Sequence, residues 1–491
     1  MKKEFLFNLL LLVLINVMIK PLFIFGIDLG VQNRAPEGEY GRYFALLFVA
    51  YLFQIITDFG IQNFNNRHVS QHPHLMAKYF PNLLALKLVL SFAYLIITPL
   101  LALLLFRYQV EDMPLLLVLL FNQALIQLTF FLRSNVSGLG HYRLDSLLSS
   151  ADKLLMLFTC GALLWFSPQT APFSLMQFAL AQTVALVLTS MLVLLALRRK
   201  ATFSLKPSWA GRWREGRRMM FWLWRKSLPY ALVILLMSAY TRLDAVLLER
   251  LLPDGRLHAD VYAGAYRLLD AANMLGYLFA SLLLPMFAKQ LRHDPSGQGS
   301  RPLVALSFRL IWAGSLSLAL AVSFARQDII QLMMPERANI YRWDILGLLI
   351  WAFVPVCTTY IFSTLLTAHE RLMQMNRFFL IAIVLNLALN FILIPRFEAY
   401  GAVISTLSTQ CFVALAMIGL CMRTFRYRPS AKGIAQISLY TAWAVLGAWL
   451  IWGQSELAWS WRFVLMLSNG VFGLLFFAEK GMLGKIAGLR K

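Results

Sequence analysis

The chain has 491 residues, of which 59% are hydrophobic and only 14% charged, and its formal net charge is +22. Apolar runs recur from one end to the other, so a soluble globular fold is excluded and the chain falls in the polytopic membrane class. So basic a balance in a soluble protein would point to nucleic acid; in a membrane protein the placement of the charges matters more, and no nucleic-acid partner is expected.

A helix needs about 20 mainly apolar residues to cross the hydrocarbon layer, and about fourteen such segments fit between Phe5 and Phe477. The expected fold is therefore all-α, a polytopic membrane protein. With a cytoplasmic N-terminus, about 29 Lys and Arg residues fall in cytoplasmic segments and about ten in external ones, which implies an N-in, C-in orientation. Met1-Lys2-Lys3-Glu4 and the apolar run after it imitate a secretory signal. No small-x-small cleavage site follows, and Asn8 and Asn16 interrupt the run, so it reads as the first membrane helix.

Helix one runs to about Gly26 with Asn16 and Lys20 on one face, and Pro21 predicts a kink beside the lysine. An external stretch, Asp28 to Arg42, leads into helix two, where Gln54, Asp58 and Gln62 form a polar stripe that must face protein or water. Asp58 pairs with Arg67 or Lys78 in one reading and lines a cavity in the other. Helix three, Pro81 to Phe106, carries Lys87 about two turns in, within reach of the cytoplasmic surface by snorkelling. Helix four holds Asn122, Gln123, Gln127 and Arg133; Asp145, Asp152 and Lys153 open helix five as locally paired charges. Helix six ends at about Leu197.

A basic connection from Arg198 to Lys226 follows, with Glu215 as its single acid. Trp209, Trp213, Met220 and Trp224 recur there at near-helical spacing between arginines, which predicts an amphipathic helix on anionic inner-leaflet lipids. The expected organisation is an N-terminal lobe over 1–197, this linker over 198–226, a C-terminal lobe over 227–422, and two extra helices with a basic tail over 423–491.

The hairpin Ser227 to Lys289 carries charge inside both apolar runs: Arg242 and Asp244 in helix seven, Arg267 and Asp270 in helix eight. Each such group costs at least about 2.5–3.5 kcal/mol in the hydrocarbon core, so a polar cavity or a mutually neutralised cluster is implied. With helix seven ending near Arg250 and helix eight starting near Val261, Arg242, Arg267 and Asp270 lie roughly 12, 9 and 13 Å from the external boundary; Lys20, counted from Gly26, lies at roughly 9 Å. The arginines and Lys20 would then share one outer layer. Arg suits a phosphate there because its planar fork meets the oxygens in pairs.

Arg309 enters helix nine near the cytoplasm, within reach of the inner surface. Helix ten, Asp344 to Thr367, shows Thr358, Thr359, Tyr360, Ser363 and Thr364, a face for helix contacts or sugar hydroxyls. His369-Glu370 has no second His at metal-ligand spacing and is not a zinc motif. Asn386 and Asn390, four apart in helix eleven, are expected to join helices. Helix twelve ends at about Met422, and helices Ile434–Trp452 and Trp461–Phe477 complete the count. Cys160, Cys357, Cys411 and Cys421 read as small buried hydrophobes.

Six helices precede the linker and six follow it, starting on the same side, with Gly38-Glu39-Tyr40-Gly41-Arg42-Tyr43 entering helix two and Val261-Tyr262-Ala263-Gly264-Ala265-Tyr266 entering helix eight. Two parallel six-helix lobes around a central cleft, plus two C-terminal helices, fit this pattern and suit alternating access.

Ile56-Thr57-Asp58-Phe59-Gly60-Ile61 with Arg67, Asn386-Leu387-Ala388-Leu389-Asn390 with Leu393-Ile394-Pro395 and Tyr400-Gly401-Ala402, and Arg242-Leu243-Asp244 with Tyr262 and Tyr266 resemble motifs of the polysaccharide transport family. These are the oligosaccharide flippases of the multidrug/oligosaccharidyl-lipid/polysaccharide exporter superfamily. The chain departs from the family at Arg396-Phe397-Glu398-Ala399-Tyr400-Gly401, where glycine is frequent at the end of the loop. The resemblance implies a transporter rather than an enzyme. It would move a polyprenyl-pyrophosphate-linked oligosaccharide from the inner to the outer leaflet of a bacterial plasma membrane, for surface polysaccharide such as O-antigen, capsule or exopolysaccharide. Lys20, Arg242 and Arg267 would bind the pyrophosphate; Asp244, Asp270 and Asn16 would support them or bind a coupling cation, Na+ or H+. No other cofactor is expected, and the polymerase and ligase of the same pathway are expected partners. Alternatives are a peptidoglycan lipid precursor flippase, a drug/cation antiporter of the same superfamily and a membrane polymerase or glycosyltransferase. Embedded cations disfavour the antiporter, and short external loops without paired carboxylates disfavour the enzyme.

Overall fold

The computed structural model describes residues 19, 21–62, 65, 69, 76–166, 173–201, 213–294, 296–427, 430–454 and 456–477. Asn16, Lys20, Arg67 and Trp209 lie outside them, as do the side chains of Lys78, Trp213, Met220 and Trp224. Among the described residues there is no strand, and ten helices are long and apolar enough to cross a membrane. In chain order the helices are α1 (residues 22–34), α2 (Glu39–Thr57), α3 (Met76–Leu105), α4 (Met113–Gly138), α5 (Ala151–Phe166), α6 (Leu175–Lys200) and α7 (Trp213–Leu251). They continue as α8 (Gly255–His293), α9 (Arg301–Phe324), α10 (Ile340–Ala368), α11 (residues 372–397), α12 (residues 399–425), α13 (Ala431–Trp452) and α14 (Trp459–Phe477). Short helices at Tyr142–Leu148 and Arg326–Met333 precede α5 and α10.

The chain divides into two compact units, Met1–Asp260 and Val261–Lys491. In the first, α2 packs on α4 and α7, α4 on α6, and α5 on α6. Its best-filled end gathers Ile61, Val69, Met76, Phe80, Leu86, Phe131, Val136 and Leu197. In the second, α9 packs on α10, α13 and α14, around Ala313, Leu316, Leu320, Tyr440, Ala444 and Met466.

Four boundaries differ from the sequence reading. Helix one does not stop at Gly26: a π-helical stretch, Leu22–Asp28, opens directly after Pro21 and continues as an α-helix to Arg34. Ile27, Leu29 and Val31 are buried, so the helix keeps a face to bury beyond Gly26. The expected external stretch is thereby shortened to a few residues before Gly38, whose φ of +80° only glycine adopts without strain. Helix three starts by Met76, not Pro81. Helix seven starts by Trp213, so the second half of the basic connection and the spanning segment form one helix of 39 residues, roughly 58 Å long. Helix eight starts at Gly255, because Leu252-Pro253-Asp254 suffices for the turn: Gly255 N donates to Leu252 O and Leu257 N to Asp254 O.

Between α11 and α12 the chain reverses within one residue, Glu398, at φ 53° and ψ −129°. Gly401 follows because a Cβ there would stand 2.4 Å from the Leu393 carbonyl oxygen. The Pro395-to-Gly401 motif is thus the corner of a tight helical hairpin.

Candidate functional site

In the first unit, α7 carries Arg242 against α2. Phe48 and Tyr51, three residues apart on α2, share a face. The Arg242 guanidinium carbon lies 4.6 Å from the Phe48 ring centroid and 4.9 Å from that of Tyr51. Aromatic faces attract a cation where water is scarce, so the two rings hold and orient the half-buried arginine. Asp244 is only 1% exposed and, two positions along, projects to another side of α7. Nothing in the sequence reading marked Phe48 or Tyr51; their i, i+3 spacing on the helix packed against α7 was the available signal.

One turn further along, α2 tightens into a 3-10 turn, Gln54–Thr57, and ends at Asp58. Gln54 Oε1 accepts from Gln123 Nε2 at 2.5 Å and from Gln127 Nε2 at 3.1 Å, so the polar residues of helices two and four form one layer. Asp58 Oδ1 accepts from Lys87 Nζ at 2.5 Å, and the Lys87 side chain is completely buried. One earlier expectation, a pairing of Asp58 with Arg67 or Lys78, falls on groups outside the described residues; the other is corrected, since Lys87 does not snorkel but pairs with Asp58. The reason is the earlier start of α3. Lys87 lies eleven residues from Met76, roughly 16 Å along the axis, where the nearest counter-charge is across the helix pair rather than at the surface. Shallower charges pair locally as expected, Arg133 with Asp145 at 2.8 Å and Lys153 with Asp152 at 3.5 Å.

The α7–α8 turn is tied into the same unit. Arg256 reaches Glu39 at 3.3 Å, Asp112 at 3.7 Å and Glu249 at 3.8 Å, while Arg42 holds Asp112 at 2.7 Å. Tyr108 donates to Glu249 at 2.6 Å, and Gln32 donates to the Asp260 carboxylate at 2.8 Å. The backbones meet at Gly41, where a Cβ would stand 2.0 Å from the Arg256 carbonyl oxygen. A polar pocket of about 570 Å³ lies here, lined by Glu37, Glu39, Glu249, Arg250, Asp254 and Arg256 among others. This network holds both signs of charge and anchors the turn.

In the second unit, α8 presents Tyr262, whose hydroxyl is 3.1 Å from that of Thr406, then Tyr266, then Arg267 and Asp270 one turn apart. Arg267 is 6% exposed and Asp270 is exposed. Counted along its own helix from Gly255, Arg267 is roughly 18 Å in and Asp270 roughly 22 Å, against roughly 13 Å for Arg242 from Leu251. The start of α8 at Gly255 rather than near Val261 adds six residues, roughly 9 Å, of helix before Arg267. The helix packs closely on α10 at Gly276, where a Cβ would meet Cys357 and Tyr360 within 3.0 Å. The α10 hydroxyls of Thr358 and Thr364 donate back to their own helix, at Val354 O and Tyr360 O. Asn390 donates to Asn386 at 3.1 Å within α11. Cys160, Cys357 and Cys421 are buried, but Cys411 is exposed, because α12 turns that face away from its neighbours. Among the described residues no group of three or more His, Cys, Asp or Glu could hold a metal ion.

A profile of the polysaccharide biosynthesis protein family matches residues 7–291. No curated protein sequence matches the chain. Among solved structures, the lipid II flippase MurJ in an inward closed conformation is similar at TM-score 0.68 and 13% identity, covering 99% of both chains. An inward-facing multidrug resistance MATE transporter of the MOP superfamily is similar at TM-score 0.67 and 14% identity, over 82% of this chain and 94% of that one. A MOP superfamily transporter from Pyrococcus furiosus, described as having a binding pocket of reversed polarity, is similar at TM-score 0.58 and 15% identity, over 86% and 95%. At these identities the likeness is one of fold.

Proposed function

The chain belongs to the polysaccharide biosynthesis protein family, and we propose that it is a flippase for a polyprenyl-pyrophosphate-linked oligosaccharide, moving it from the inner to the outer leaflet of a bacterial plasma membrane. The observation that carries this reading is Arg242, an arginine inside an apolar helix with two aromatic rings supporting its guanidinium. The edge of a guanidinium is the part that binds phosphate oxygens in pairs, so an arginine supported on its face suits a pyrophosphate. Arg267, buried in α8, and Lys20, which the sequence pattern puts with it, would supply further positive charge. Asp244 and Asp270, with Asn16, would orient these groups or take a coupling Na+ or H+. The sugar chain would follow the headgroup, and the polyprenyl tail would stay in lipid.

In a strain lacking the gene, surface polysaccharide should be lost and lipid-linked precursor should accumulate on the cytoplasmic side. Arg242→Ala and Arg267→Ala should each abolish complementation at unchanged protein level. Unchanged polysaccharide and precursor in the deletion strain, with no paralogue compensating, would sink the proposal; loss of the protein itself in both variants would assign the arginines to stability. A peptidoglycan precursor is the second reading, favoured by the full-length likeness to the lipid II flippase. Rescue of a strain depleted of its essential lipid II flippase would support it.

A further inference from the structure

Within the second unit, α9 and α13 run side by side in the same direction. Trp312 Nε1 donates to Thr441 Oγ1 at 3.0 Å, and further along the Phe324 and Trp452 rings lie 6.1 Å apart. Between them is a groove of about 700 Å³, lined by Trp312 and Phe324 of α9 and by Ile437, Val445, Leu446 and Trp449 of α13, among others. Ile437, Thr441, Val445 and Trp449 are spaced by four and form one stripe. The stripe is twelve residues long, roughly 18 Å, close to the roughly 15 Å of one leaflet's half of the hydrocarbon core.

A cation lies one turn beyond the lining residues at one end of this groove. Arg309 lies one turn before Trp312 on the same face of α9. It is half-buried, leans on the Phe477 ring at 5.9 Å, and brings its Nη2 to 3.4 Å from where a Gly433 Cβ would stand, beside the start of α13. Among the described residues no carboxylate forms an ion pair with Arg309. The first turn of α13 is already capped, Ser430 Oγ accepting from Gly433 N at 3.0 Å, so the arginine, not the helix end, is the group offered to an anion. Arg423 at the end of α12, Arg426 after it and Lys432 in the first turn of α13 add further positive charge.

We infer that the groove holds one acyl chain of an anionic phospholipid, with its phosphate on Arg309. The geometry matches such a lipid in three respects: an apolar channel one leaflet long, a guanidinium at its mouth, and a basic turn beside it that favours a net negative headgroup. The site is distinct from the arginines of α7 and α8 and does not depend on what the protein transports. In an N-in chain the leaflet is the cytoplasmic one.

Native mass spectrometry of the full chain, purified in mild detergent with phosphatidylglycerol and phosphatidylcholine in equal amounts, tests this. The unaltered protein should retain phosphatidylglycerol preferentially. Arg309→Gln should lower that preference about fivefold, the size of one basic residue's contact with an anionic surface, and Arg309→Lys should keep most of it. Ala442→Trp, which fills the groove without changing charge, should abolish the retained lipid, and it serves if the glutamine variant does not fold. Equal retention of the two lipids, or an unchanged preference in Arg309→Gln, would overturn the inference. So would displacement of phosphatidylglycerol by an equal concentration of undecaprenyl phosphate, which would assign the groove to a polyprenyl chain.

Discussion

A lysine sealed from water and lipid needs a carboxylate beside it, and Lys87 has Asp58 at 2.5 Å. Removing one member of such a pair leaves a buried charge behind, at a cost of about 3–5 kcal/mol, whereas replacing both by apolar or neutral groups is often nearly neutral. Lys87→Met should therefore lower the thermal unfolding temperature and the yield of purified protein sharply, and Lys87→Met with Asp58→Asn should recover most of the loss. If the double variant is no more stable than the single one, the pair is not the reason Lys87 tolerates burial. Asp58 stood out in the sequence because it interrupts a membrane helix. Its partner did not, since the depth of Lys87 depends on where α3 begins, and the apolar pattern leaves that open by more than a turn. Arg242 was legible for the same reason as Asp58, but its aromatic support on α2 required knowing which helix lies against α7.

Among the elements, α14 shows how these helices hold one another without a hydrophobic driving force between them. Close approach needs small residues at the contact. A Cβ on Gly473 would stand 2.7 Å from both the Ala313 Cβ and the Tyr440 ring, and one on Gly470 3.3 Å from the Ser317 side chain. Tyr440 closes the contact, with its hydroxyl 3.1 Å from Ser317 Oγ and 3.1 Å from the Asn469 carbonyl oxygen. Gly473→Leu should cost about 1–3 kcal/mol through overpacking and expose α14 to limited proteolysis. Val471→Leu, at a position 58% exposed, should do neither. Equal protease sensitivity of the two variants would refute this account of the contact. Element existence was readable from run length, and so were ends such as Trp452 and Phe477, but four boundaries were not. The starts of α3 and α8 and the end of α1 all fall in stretches where polar residues continue a helix because its opposite face is buried.

For the whole molecule, the excess of Lys and Arg in alternate connections predicts which side each loop occupies. With Cys411, the exposed native cysteine, replaced by alanine, Asp254→Cys and Gln327→Cys should react with a membrane-impermeant maleimide added to intact cells. Ser296→Cys should react only after permeabilisation. The reverse pattern would invert the orientation and move the Arg309 groove to the other leaflet. The sequence by itself determined the membrane class, the all-α architecture, the approximate number of helices and the family resemblance, because run length, composition and short motifs are local quantities. Only the tertiary structure decided that Lys87 belongs to Asp58, that Phe48 and Tyr51 support Arg242, that α8 begins at Gly255, and that α9 and α13 flank a groove with an arginine beyond its end. Each of these depends on which faces of separate helices meet, and a helix packed on several neighbours carries too weak an amphipathic signal for its sequence to say which face that is.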